Sequence, residues 1–162
     1  EICACLVGSE MCIRDSPWVD QELMCAAAFQ GNVVCMNVQN GRLVWNAKVD
    51  AVTGPVADGR LVYEVDDASR IHAFNRQNGR EAWVNESFLY RSASAPIRVG
   101  TSLAFGDYEG NITFLDPATG TPVARTKLSG AVTTPAAQYG YGAVFQTVEG
   151  DVAYVVEGAD SE

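Results

Sequence analysis

The chain has 162 residues and a net charge of −9, from 11 basic and 20 acidic side chains. That balance lacks the basic stripe a nucleic-acid binder needs, and no apolar run reaches the length that spans a bilayer as a helix. By length the chain makes one domain.

The first sixteen residues stand apart from the rest. The stretch from Cys5 to Ser16 resembles a translated sequencing adapter, with no strand alternation and no helical stripe. Cys3, Cys5 and Cys12 match no zinc-ligand spacing and have no histidine nearby. Residues 1–16 are therefore expected to lie outside the fold.

From Pro17 onward the chain reads as strands and turns. Leu23 to Phe29 and Asn32 to Asn37 form two apolar runs, followed by the turn Asn40-Gly41 and a polar-apolar run through Trp45. A second set follows: Pro55 to Ala57, Arg60 to Val65, Arg70 to Asn75, the turn Asn78-Gly79, then Arg80 to Val84. The third set is Ala95 to Arg98, Ser102 to Gly106, Asn111 to Asp116, Thr119-Gly120, and Thr121 to Arg125. The fourth has Pro135 to Gln138, Gly142 to Thr147 and Asp151 to Val156, then an acidic end without strand character.

Four copies of one pattern, about forty residues apart and built only of strands, are the signature of propeller blades. The expected fold is all-β: a partial β-propeller of about three and a half four-stranded antiparallel blades at 17–49, 55–86, 95–128 and 134–156, with 159–162 a polar tail. Blades bury their faces against neighbouring blades, so this set is expected to belong to a larger ring. The fourth strand of the last blade would then come from the opposite end of the parent chain.

The turn before each fourth strand has Asn or Asp first and Gly last. The carboxyl or amide accepts hydrogen bonds within the turn, and Gly41, Gly79 and Gly120 supply the positive φ. Four residues on stand Trp45 and Trp83, with Ala124 in the third copy; the two indoles read as packing residues between sheets. If Gln30-Gly31 is a two-residue hairpin turn, Cys35 lies opposite Ala26 and Cys25 points to the other face. On that reading the two cysteines are small buried apolar residues and not a disulfide.

A search for chemistry yields no catalytic, cofactor-binding or metal-binding residue. His72, the one histidine, sits mid-strand between Ile71 and Ala73 with no nucleophile or positioned carboxylate identifiable beside it. Asp66-Asp67 lacks the dense oxygen spacing of a calcium loop. Asp107, Glu109 and Asp116 read as loop and turn residues, and Gly106, Gly110 and Gly120 precede no helix and so build no phosphate loop.

The repeat resembles the pyrroloquinoline-quinone-like propeller family. Within that family it is most similar to the lipoprotein scaffolds of the outer-membrane β-barrel assembly machinery. Arg60 to Asp67, Leu89 to Pro96, the Gly106-Asp107-Tyr108-Glu109-Gly110 turn and Thr133-Thr134-Pro135 carry the resemblance. It implies an eight-bladed parent, lipid-anchored on the periplasmic face of the outer membrane, without catalysis or cofactor. Its implied partners are the POTRA domains of the barrel-inserting subunit and unfolded outer-membrane proteins, and the family's docking loops precede Pro17. The rival readings are a fragment of a quinone-dependent dehydrogenase and a sensor or adhesion propeller.

Overall fold

The computed structural model describes residues 16–27 and 31–158; the adapter-like stretch, save Ser16, and the polar tail lie outside these. Every regular element among the described residues is a strand. In chain order they are β1 (Trp18–Val19), β2 (Leu23–Ala27), β3 (Asn32–Asn37), β4 (Leu43–Lys48), β5 (Val56–Ala57), β6 (Leu61–Val65), β7 (Ile71–Asn75) and β8 (Glu81–Asn85). There follow β9 (Ile97–Val99), β10 (Ser102–Gly106), β11 (Asn111–Leu115), β12 (Pro122–Lys127), β13 (Ala137–Tyr139), β14 (Gly142–Gln146) and β15 (Val152–Val155).

They form four sheets in simple sequential order: β1-β2-β3-β4, β5-β6-β7-β8, β9-β10-β11-β12 and the three-stranded β13-β14-β15. The pairs β1–β2, β2–β3, β6–β7 and β10–β11 are antiparallel, the geometry that short turns between neighbours permit. The central strands are buried along their whole length in β10 and β11 and nearly so in β6 and β7. Sheets covered on both faces have no reason to alternate polar and apolar residues, and these runs are mostly apolar without alternation, with Glu64, His72, Ser102, Asn111 and Thr113 as buried polar exceptions. Prolines stand just ahead of the first strands: Pro17 before β1, Pro55 before β5, Pro96 before β9 and Pro135 two residues before β13. A missing N–H costs nothing before the ladder begins.

The chain divides into two compact units, one running to Asp67 and taking in Ile71–Ala82, the other comprising Ala68–Arg70 and the chain from Trp83. The first unit has its own core, in which Leu23, Cys25, Val33, Trp45, Val62 and Phe74 belong to one cluster. The second is centred on Ile97, Ala104, Ile112, Phe114, Val132 and Phe145.

Two features recur in the sheets. The turn between third and fourth strands is closed the same way three times. Gly41 N–H donates to Asn37 O, Gly79 N–H to Asn75 O and Gly120 N–H to Asp116 O, each at 2.8 Å. The side chains of Asn37, Asn75 and Asp116 cap the residue two positions on at 3.0, 2.9 and 2.8 Å. Secondly, the register slips by one between Cys35 and Met36 and again between Phe114 and Leu115. The unpaired residues, Val44 and Val123, hold the same place in their repeats, which marks a bulge built into the pattern.

The structure corrects the reading of the cysteines. Ala27 pairs with Val33, so the loop is longer than a two-residue turn and the register moves by one. Cys25 then lies directly opposite Cys35, with Cα atoms 4.2 Å apart and the two sulfurs joined as a disulfide. A one-residue slip exchanges the faces of a strand, and that exchange is the whole difference between two inert thiols and one covalent staple.

Candidate functional site

The two tryptophans do the same thing in their separate units. In the first, Trp45 on β4 is only 5% exposed, and its indole lies over the Gly79 turn. Its Nε1–H donates to Arg76 O at 2.7 Å, and its ring stands 6.0 Å from that of Phe74. In the second unit Trp83 on β8 lies over Gly120 and donates to Pro117 O at 3.0 Å. Gly79 and Gly120 both have positive φ, +66° and +71°, and a Cβ on either would meet the ring at 2.6 or 2.5 Å. Two separate demands, backbone sign and ring contact, thus require glycine. Gly41 shares the φ of +66° but has open space beside it.

At the third tryptophan position Ala124 leaves a cleft of about 450 Å³, lined among others by Phe114, Val123, Leu128, Tyr154 and Val155. Below it Glu157 fastens the end of the fourth sheet to the β9–β10 turn. Its carboxylate accepts from Thr101 N–H at 2.6 Å, Thr101 Oγ–H at 2.8 Å and Ser102 Oγ–H at 2.9 Å. The Thr101 N–H and hydroxyl hold its carboxyl below the usual range, with Ser102 adding to them.

His72 is not isolated. Its Nε2 lies 3.2 Å from Asp66 Oδ2 and its Nδ1 3.2 Å from Glu81 Oε2, with the ring stacked parallel to Phe74 at 5.9 Å. Asp66 is buried and Glu81 half exposed on its side chain. Sequence spacing does not show this group, because it joins a loop, a strand centre and a strand start. It contains no nucleophile, and it ties the end of β6 to β7 and the start of β8.

In the second unit the loop from β8 to β9 is pinned to the β10–β11 turn. Arg91 donates from Nε to Asp107 Oδ2 at 2.9 Å and also reaches Glu109. Asp107 Oδ1 accepts from the backbone N–H groups of Glu109 and Asn111, each at 2.9 Å. Burial pushes the Asp107 carboxyl up, but the Asn111 side chain and backbone, then Arg91, outweigh it and hold it below the ordinary carboxylate range. Glu109 is held low chiefly by Arg91. Beside this clamp Tyr90 is 82% exposed and Tyr108 50% exposed. Tyr90 and Ser92 adopt φ of +59° and +50°, a conformation non-glycine residues rarely take. Asp116 caps its own turn, as above, and Asp67 donates its N–H to Asp50 O at 2.9 Å. Among the described residues no group of three or more His, Cys, Asp and Glu could hold a metal ion.

Comparison with known proteins gives these features a context. The family model described as "Outer membrane protein assembly factor BamB" matches residues 8–85, beginning inside the stretch set aside on sequence grounds. The protein of that name from Bordetella pertussis is 33% identical over 142 residues, covering 86% of this chain and 37% of its own length. The chain thus spans little more than a third of that relative. The crystal structure of BamB from Moraxella catarrhalis superposes with a TM-score of 0.83 at 24% identity, over 88% of this chain and 42% of that one. A quinohemoprotein alcohol dehydrogenase from Pseudomonas putida gives 0.63 at 19% identity, over 75% and 21%. These likenesses show the fold, that of blades of a β-propeller, and at such identities the fold alone.

Proposed function

The chain is homologous to the outer-membrane protein assembly factor BamB over most of its length, and from that premise we propose that it is part of a non-catalytic scaffold for outer-membrane protein assembly. The observation that supports this most is the 33% sequence identity to a factor of that name over 86% of the chain, together with the fold shared with a BamB crystal structure. The parent protein docks onto the POTRA domains of a barrel-inserting subunit and helps present unfolded outer-membrane proteins to it. It works on the periplasmic face of the outer membrane, held there by a lipid anchor. Side-chain chemistry agrees with a binding role: the buried polar groups are spent on turns, caps and ion pairs that fix loops, as a rigid presenting surface requires.

The reading is tested by complementation. The full-length gene carrying this chain is placed in a Gram-negative strain deleted for its own assembly factor, and outer-membrane protein abundance is measured. Restored abundance supports the scaffold; unchanged deficiency with normal expression and export counts against it. The dehydrogenase shares the fold at 19% identity, and a fold hosts many functions. Among the described residues no side-chain observation favours that second reading.

A further inference from the structure

We infer that Cys25 and Cys35 are a substrate pair for a protein disulfide donor, oxidised while the β2–β3 hairpin is still open, so that the bond is a built-in staple of the first sheet and not a surface redox switch. Four side chains occupy one row across this sheet, because Trp18 pairs with Cys25, Cys25 with Cys35, and Cys35 with Trp45. Directly opposed residues project to the same face, so an indole flanks the sulfurs on either side. Both cysteines are 0% exposed, in the core cluster that also holds Val33, Val62 and Phe74.

Thiol–disulfide exchange needs an attacking thiolate to reach a sulfur in line with the bond it breaks. In the folded sheet no such approach exists to either cysteine. The two lie ten residues apart in sequence on neighbouring strands, so a hairpin brings them together before β1 and β4 are in place. Loop closure over so short a span is fast and cheap. The order of events follows. The thiolate of one cysteine attacks the donor's disulfide and forms a mixed disulfide, expelling one donor thiolate. The thiolate of the other cysteine then attacks the sulfur of the first, forming the Cys25–Cys35 bond and releasing the donor as a dithiol. Two electrons pass to the donor disulfide, and the two protons lost by the substrate thiols end on the donor thiols or in solvent. The trailing strands then bury the product.

This places folding of the chain where disulfide donors operate, outside the reducing cytosol. It rests on the register and burial of two residues, independently of the assembly role.

The test uses the full chain, exported in a strain with and without its periplasmic dithiol oxidase. Free thiols are blocked in denaturant, and the protein is digested without reduction and mapped by mass spectrometry. The expected result is a single linked peptide pair joining Cys25 to Cys35 in the competent strain, and alkylated Cys25 and Cys35 in the deficient one. The folded protein is then challenged with dithiothreitol, with and without urea. The bond should be reduced at least about 100-fold more slowly when folded than in urea. Free Cys25 and Cys35 in the competent strain, pairing of either with another cysteine, or equal reduction rates folded and unfolded would each overturn the proposal.

Discussion

Replacing Gly79 by alanine sets two costs on one residue, and the sequence repeat provides its own control. At Gly41 and Gly79 φ is +66°, so either alanine carries the left-handed penalty, about 1 kcal/mol. At Gly79 the new Cβ would also sit 2.6 Å from Trp45 Cε3, well inside van der Waals contact. The ring cannot easily retreat, because its Nε1–H is bound to Arg76 O at 2.7 Å and the Phe74 ring stands 6.0 Å from it. Overpacking of this kind adds about 1–3 kcal/mol. Gly79→Ala should therefore lose about 2–4 kcal/mol and Gly41→Ala about 1 kcal/mol, read from urea unfolding at unchanged m-value. In a Trp45→Ala background, itself costing about 3–5 kcal/mol, the Gly79→Ala loss should shrink toward the Gly41→Ala figure. Equal losses at Gly41 and Gly79, or additivity with Trp45→Ala, would refute the claim that indole and turn pack as one unit.

Two further outcomes are expected. Asp107 has a depressed carboxyl pKa in the folded state, so the stability it contributes is present above its unfolded value of about 3.9 and is lost as pH falls through the folded one. Asp107→Asn should cost about 1.5–3 kcal/mol at pH 7 through lost charge-assisted hydrogen bonds, with the gap from the parent closing toward pH 2 in acid-titrated unfolding curves; a gap constant with pH would contradict this. Ala124→Trp places an indole in the cleft of about 450 Å³ and should raise stability by about 0.5–2 kcal/mol, whereas a loss above 1 kcal/mol would show the cleft is not shaped like the two tryptophan sites.

Much of this was legible in the residues because each signal is local. The Asn-x-x-Asn-Gly turns identify themselves by the chemistry of five consecutive positions, and the mostly apolar runs of β6, β7, β10 and β11 lack alternation because both faces are covered. What escaped was set by loops and by distance in sequence. Gln30-Gly31 looks like a two-residue turn, yet Ala27 pairs with Val33; the chemistry of the turn residues does not fix the length of the loop that holds them, and an odd error in length reverses both cysteines. The Arg91 clamp joins residues 16 apart, and the His72 group joins three elements. Neither leaves a spacing pattern, because only the folded backbone brings its members together. The left-handed backbone at Tyr90 and Ser92 is similarly invisible, since neither residue favours it. Asp107 reads as a turn residue from its type alone, and burial with the Arg91 bond makes it an anchor for a second loop.

The most direct measurement is binding of the purified full-length protein to the isolated POTRA domains of a barrel-inserting subunit, by titration calorimetry. The account predicts a saturable one-to-one complex that forms without quinone or calcium. No binding, with dye reduction appearing when pyrroloquinoline quinone and calcium are added, would contradict it.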